Sequence, residues 1–429
     1  GDYTGSGRIS ITASGTEQKR RYILLDNGND IHPGKLTDDQ RVQVAFDFDH
    51  ADYWVLDRMG SFDRERLQHI ILRASSHNIF NRMYFRDVFQ AFWIKNLSHY
   101  NTIQNSRFHT MSLAGAAADL AMINVVQWYY KNRNENGVCV EEGLKHLDVF
   151  GTKVINNEFV NTKAFRINRF WTANYQDPDD CGVGQIARFN GTIADNNTVE
   201  FNDDIRTDCN GNPDPTGDCM ALEAGFGGIK SGSDDPSQPL IFSNNKVWGA
   251  LPTDPTMENL SSKGGGFLAY MGVRYIRFLH NVIFDTTSAL AVADRYEMER
   301  GTWDAVIRYN IIVNCGRKPR ANQFSLSISM AEDADVEYNL VKDAHGPWAR
   351  FSFNQYGNYI GHNDVVNAED NEFAYEGNWE PVDGLRPEDE NNYYTTEESP
   401  FTEDFVFVTD RFTNHPRTIV LENVLRPTR

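Results

Sequence analysis

The sequence predicts an all-β solenoid, a stack of short strands laid rung on rung, and three observations predict it. First, an apolar, β-branched run around an asparagine recurs along the chain: HNIFNRMYF (77–85), YNTIQNSRF (100–108), TKVINNEFV (152–160), PLIFSNNKVW (239–248), RFLHNVIF (277–284), AVIRYNIIV (305–313) and ADVEYNLV (334–341). Second, each run is short, alternates with period two and is rich in Val, Ile, Phe and Tyr, which is the signature of a strand. Third, Gly/Asn/Asp/Ser turns and further short strands lie between the runs: FWIK (92–95), GVCVE (137–141), GGIKSG (227–232), FLAYM (267–271), SALAVA (288–293) and FSLSIS (324–329). Several strands per repeat, in one long series, is a quasi-one-dimensional stack in which each repeat packs on its neighbours.

Taking Asn81, Asn105, Asn157, Asn245, Asn281, Asn310 and Asn339 as the marker gives spacings of 24, 52, 88, 36, 29 and 29, with Asp57 another 24 residues before Asn81. The marker suits an inward-facing turn, where its amide bonds the matching amide of the next rung and tolerates left-handed backbone. Residues 1–345 are thus expected to form the solenoid, with RISITASG and RRYILLD opening it as a first rung or cap. Residues 163–238, dense in Asp, Asn, Gly and Pro, read as one long polar insertion that accounts for the spacing of 88. Residues 346–429 turn acidic and aromatic (EDNEFAYEGNWEPVDG, PEDENNYYTTEESP) and end in FVFV and TIVLENV. They read as an irregular tail that packs along the solenoid or caps it.

On rung length, the Asn ladder and the strand pattern, residues 40–345 resemble the right-handed parallel β-helix proteins of the pectate-lyase-like superfamily, and most of all a β-helix polysaccharide lyase. The resemblance implies a protein that acts on, or binds, a long polysaccharide along the groove outside the helix. It also implies Lys or Arg bases, often with calcium. No motif assigns one lyase or hydrolase family.

Composition narrows the function classes. The chain has 429 residues, 41 Lys+Arg against 60 Asp+Glu, and a formal net charge of −19. That balance argues against a nucleic-acid binder, which needs a basic footprint on phosphates, and against an anionic membrane surface. At 40% hydrophobic and 12% aromatic the chain is too apolar for disorder. The most apolar stretch, Leu113 to Val126, is broken by Asp119 and falls short of a membrane span. Five cysteines are few for the length, yet Cys209 and Cys219 bracket DCNGNPDPTGDC, a loop that a disulfide would stabilise by about 3 kcal/mol; free thiols are the other reading. The chain opens on Gly1, which fits a removed leader, and an exported protein is expected. The sequons at Asn96, Asn190, Asn196 and Asn259 add little.

The chemistry is expected on an outer strand face, because strand residues alternate between core and exterior. Alternation puts Trp93, Lys95, Glu141, Arg166, Lys230, Tyr270 and Arg295 outside. Lys230 sits in EAGFGGIKSGSDDP (223–236), whose glycines let a polymer approach the backbone closely. Elimination from a uronic acid needs a neutralised carboxylate, a base for the C5 proton and an acid for the departing oxygen. A Lys among Arg neighbours has its pKa lowered and serves as base; Arg295 or Arg166 pairs with the carboxylate, and Tyr270 donates the proton. The plainer reading of Lys230 is a solvated surface lysine partnered by Glu223. Trp93, Lys95, Glu141 and Trp303 are candidates for substrate contact. Asp208, Asn210, Asn212, Asp214 and Asp218 alternate oxygen donors around Gly211, the logic of a calcium site, although the EF-hand pattern fails and a plain turn-rich loop reads equally well.

Two rival classes remain. A hydrolase needs a carboxylate pair, offered by Asp47 with Asp49 and by Asp333 with Asp335, although solvated faces give such pairs by chance. A non-catalytic carbohydrate-binding or adhesion solenoid needs only an aromatic-lined groove. Histidines 69, 77, 99 and 109 match no zinc spacing, with His109 and His146 left as acid/base candidates. P-loop, GxGxxG and GxSxG motifs are missing, which removes nucleotide-dependent and α/β-hydrolase chemistry.

Overall fold

The computed structural model describes residues 9–24, 45–61, 69–88, 90–111, 121–128, 148–170, 187–201, 220–226, 231–249, 265–270, 273–286, 288–293, 302–316, 325–329, 331–345, 347–352, 358–368, 370–376, 389–390 and 392–395. Their strands form two parallel sheets of twelve and one of eleven, and each sheet is threaded once per rung. This is the all-β parallel β-helix that the repeat predicts, with the right-handed sense that parallel crossovers take. Sequence order runs from the first sheet (Phe92–Lys95, for example) to the second (Thr102–Gln104), then the third (Arg107–Met111), and back to the first one rung on (Ile123–Trp128).

The core follows from period two. In the first sheet Phe46, Ile70, Phe92, Ile123, Phe165, Leu222, Phe267 and Leu290 face one another in register through successive rungs, each at most 3% exposed. Phenylalanines of the third sheet stack along the axis. Phe85 lies 5.7 Å from Phe108, and Phe108 lies 4.8 Å from Phe159, with nearly parallel rings. Burying each such side chain contributes about 1.5–3 kcal/mol. A smaller cluster, Val282, Ile311, Val313, Leu340 and Val366, is buried on the outward side of the third sheet.

Two residues join the second sheet to the third in each rung. The outer one has positive φ, as at Asn156, Asn196, Asn244, His280, Tyr309, Tyr338 and His362. The inner one points into the stack and is an asparagine from Asn157 onward. These form one amide ladder: Asn157, Asn197, Asn245, Asn281, Asn310, Asn339, Asn363 and Asn392, each side-chain NH2 donating to the next Oδ1 at 2.9–3.0 Å. Each amide satisfies buried backbone groups that would otherwise be orphaned.

The ladder corrects the marker set. Asn81 is the last residue of the strand Ile79–Asn81, where Arg82 holds the outer position, and Asn105 is the outer residue of the next rung: Asn105 Nδ2 donates to Asn81 Oδ1, and Asn81 Nδ2 to Asp57 Oδ1, both at 2.8 Å. Ser106 takes the inner place in that rung, its Oγ accepting from the Met83 N–H. The stretch 163–238, expected as one insertion, supplies further rungs: Phe165–Phe170, Ile193–Asp195, Thr198–Phe201 and Met220–Phe226 all join the main sheets. Asn197 divides the spacing of 88 into 40 and 48. The rung pattern also continues into the expected tail, where Pro347–Ser352, Tyr359–Gly361, Asp364–Val366, Asp370–Glu376, Asp389–Glu390 and Tyr393–Thr395 extend all three sheets.

Candidate functional site

The outer face of the first sheet is built by alternation. With Phe92 and Ile94 wholly buried in the core, Trp93 and Lys95 leave the opposite side, as expected. Register then fixes their neighbours. Trp93 lies beside Asn124, Asn124 beside Arg166, Arg166 beside Glu223, Glu223 beside Leu268 and Leu268 beside Ala291. Each step is one rung, about 4.8 Å. A second outward row runs Asp49, Arg73, Lys95, Val126.

This row brings together an indole, an amide, a guanidinium and a carboxylate-bearing residue on four consecutive strands. The Lys95 ammonium sits 4.4 Å from the centroid of the Trp93 ring, a cation–π contact that occupies one face of the indole. Upstream, Arg73 donates to Asp47 Oδ2 at 2.7 Å. Trp93 and Lys95 are half-buried, whereas Asn124 is 1% exposed and Arg166 and Val126 are fully covered. The expectation that Arg166 reaches solvent is therefore corrected. Alternation gave its direction rightly, away from the core, but direction alone does not decide exposure.

Of the remaining candidates, Lys230, Arg295, Glu141, His146 and the calcium-loop residues Asp208, Asn210, Asn212, Asp214 and Asp218 lie outside the described residues, as do Cys139, Cys181, Cys209 and Cys219. Glu223, Tyr270 and Trp303 are placed by their strands alone. Tyr270 ends the strand Gly265–Tyr270, two strands beyond that of Arg166, and is in register with Ala293. Trp303 lies outside this face altogether, in the two-residue strand Thr302–Trp303, which pairs with Ala331–Glu332.

The rival chemistries find less. Asp47 is held by Arg73, and Asp49 receives His50 Nδ1 at 2.8 Å. Asp333 sits on a positive-φ turn, and Asp335 shares Arg308 with Glu337, whose Oε2 lies 2.6 Å from the guanidinium. Burial, reinforced by Asp335, pushes the Glu337 carboxyl above its ordinary value. His77 is sandwiched between Tyr53 and Tyr100 at 4.7 and 5.1 Å, and His99 stacks on Phe150 at 5.1 Å. Burial, with His77 close by, lowers the His99 pKa. Among the described residues no group of three His, Cys, Asp or Glu side chains converges to hold a metal, and no helix is long and apolar enough to cross a membrane.

Asn124 is the member of the row that sequence reasoning missed. Its signal was present, since alternation through INVVQW with Ile123 and Val125 inward sends Asn124 out. The run was absorbed instead into the apolar stretch ending at Val126.

No protein-family model matches this chain, and no curated protein matches it. Among solved structures, PfbA, a surface adhesin of Streptococcus pneumoniae, is similar with a TM-score of 0.50 at 12% identity, covering 88% of this chain and 84% of the adhesin. At that identity the likeness shows the fold alone. A mannuronic acid-specific family 6 polysaccharide lyase from human gut microbiota has a TM-score of 0.43 at 11% identity, covering 90% of this chain and 82% of its own. The catalytic domain of a GH87 α-1,3-glucanase has 0.41 at 11%, covering 90% and 61%. These two weaker likenesses carry no argument about site or activity.

Proposed function

We propose that this β-helix is an exported, carbohydrate-active protein that takes an anionic, uronate-containing polysaccharide along the outer face of its first sheet and cleaves it by β-elimination. One observation carries the reading: Arg166 lies in register between Asn124 and Glu223 on the outward side of a parallel sheet. A guanidinium fixed there by flanking strands is a pre-organised bidentate partner for a carboxylate. Trp93 and Lys95, half-buried beside it, form the approach. Arg166 itself is fully buried.

In this reading Arg166, with Arg295, withdraws charge from the C6 carboxylate and acidifies the C5 proton. Lys230 removes that proton. The electron pair forms the C4–C5 double bond, the C4–O bond breaks, and Tyr270 protonates the departing oxygen. Glu223, one rung from Arg166, holds the cationic pair in place. Calcium bound by the loop of Asp208, Asn210, Asn212, Asp214 and Asp218 would brace the segment that carries Lys230.

The test is ultraviolet absorbance of the unsaturated product against a panel of uronate polymers, with calcium and with chelator, for the native chain and Lys230→Ala. Absorbance that rises for the native chain and is lost in Lys230→Ala supports the reading; loss on chelation implicates the loop. Reducing ends that accumulate without absorbance replace elimination with hydrolysis. Binding with neither product leaves a carbohydrate-binding solenoid.

A further inference from the structure

Asn124 carries a buried acceptor that nothing answers. It is 1% exposed, and its Oδ1 has no hydrogen-bond partner among the described residues. Its strand, Ile123–Trp128, is paired on both sides, so the sheet takes up the backbone and the amide side chain is left to find its own partners. A buried amide oxygen without a donor costs about 1–3 kcal/mol. The fold does not require that cost. Two residues along the same strand and on the same side, Val126 is apolar and fully buried, so an apolar side chain fits this surface. Natural sequences keep such a group against stability where a ligand supplies the missing partner.

The surroundings say what kind of partner. Asn124 stands one rung from Trp93 and one rung from Arg166 on the same face. The nearby ammonium of Lys95 is engaged over the Trp93 ring. Asn124 and Arg166 spring from neighbouring strands about 4.8 Å apart, a spacing that matches a ligand carrying a carboxylate and a hydroxyl on one ring. Resting on the reading above, we infer that Asn124 Oδ1 accepts a hydrogen bond from a free ring hydroxyl of a uronate whose carboxylate lies toward Arg166. The site therefore selects unesterified polymer, because an O-acetylated position has no proton to donate and leaves the acceptor buried and unpaired.

The experiment compares the native chain with Asn124→Val in direct binding to uronate oligosaccharides of galacturonate, mannuronate and glucuronate, each in free and O-acetylated form, with thermal unfolding measured alongside. The expected result has three parts. Asn124→Val unfolds at the same or a higher temperature and binds the free oligosaccharide about tenfold or more weakly. The native chain prefers the free over the acetylated form by a similar factor, and Asn124→Val loses that preference. Equal affinity of the two proteins for the free form overturns the inference and means that the acceptor is satisfied by water. If Asn124→Val does not fold, the native chain's own preference decides, and indifference to acetylation overturns the proposal. Failure of the native chain to bind any of the oligosaccharides removes the polysaccharide reading itself, a result distinct from binding without preference.

Discussion

Asn245 donates both its backbone N–H and its side-chain amide to the single oxygen Oδ1 of Asn281, each at 3.0 Å. Asn281 passes the pattern on, donating to the Phe242 carbonyl at 2.8 Å and to Asn310 Oδ1 at 3.0 Å. Asn281→Ala therefore strands at least three buried polar groups at once. The expected loss is about 3 kcal/mol or more, with unfolding by urea as the measurement. A loss comparable with a surface substitution would show that water replaces the amide and that the ladder is not a main support of the stack.

The repeat was legible in the sequence because a solenoid needs the same answer from every rung. Its phase was harder to read. Inner and outer positions of the two-residue turn both favour Asn, one for its amide and the other for left-handed backbone, so Asn105 and Asn157 look alike although only Asn157 joins the inner ladder, and Asn81, at the end of the strand Ile79–Asn81, belongs to neither position. Asn197 was hidden by composition: its strands, Ile193–Asp195 and Thr198–Phe201, are three and four residues long amid polar turns. The strands from Pro347 to Thr395 were hidden because the segment is dense in Asp, Glu and Tyr, although Ile360 and Val365 within it are wholly buried. For the candidate site, alternation found the direction of Trp93, Lys95 and Arg166, but the burial of Arg166 leaves no trace in period two.

Asp57 gives a pH signature. Burial alone would raise its pKa, but hydrogen bonds from Arg82 and Asn81, with the charges of Arg82 and Arg58, outweigh it and hold the carboxyl below its ordinary value. A carboxyl depressed in the folded state contributes stability that is fully present above the unfolded value, about 4, and is lost as pH falls through the folded value. Asp57→Asn is therefore expected to unfold at a lower temperature than the native chain at pH 7, with the gap closing as pH falls below the ordinary carboxylate value. A gap of constant size across that range would assign the effect to packing.

Two glycines separate steric from conformational need. A Cβ on Gly266 would clash with the carbonyl oxygen of Ala289, which immediately precedes the adjacent strand Leu290–Ala293, so backbone must move. Gly191 has φ of +67° but only ordinary van der Waals contact around it, the nearest atom being Gln238 Oε1 at 3.8 Å. Gly266→Ala is expected to cost about 3 kcal/mol or more and to loosen the first sheet, whereas Gly191→Ala costs about 1 kcal/mol, the penalty of left-handed backbone alone. Thermal unfolding of the pair ranks them. Equal costs would mean that the Gly266 strand relaxes freely away from its neighbour.

Cys315 tests the packing of the third sheet from inside. Its thiol is fully buried, donates to the Val313 carbonyl at 3.1 Å and receives the Thr286 hydroxyl at 3.2 Å. Burial pushes its pKa up to about 11. Only the thiolate reacts with alkylating agents, so at pH 8 the folded chain offers neither the ionised form nor access. Iodoacetamide is expected to leave Cys315 unmodified in the native protein and to modify it after denaturation, as read by peptide mapping. Thr286→Val removes the hydroxyl that stabilises the thiolate and should leave that protection intact. Labelling of Cys315 at a rate that follows global unfolding would show that the rungs open as one unit. Faster labelling would show that the strands flanking Cys315 open on their own, as one-dimensional stacks permit when neighbouring interfaces differ in strength.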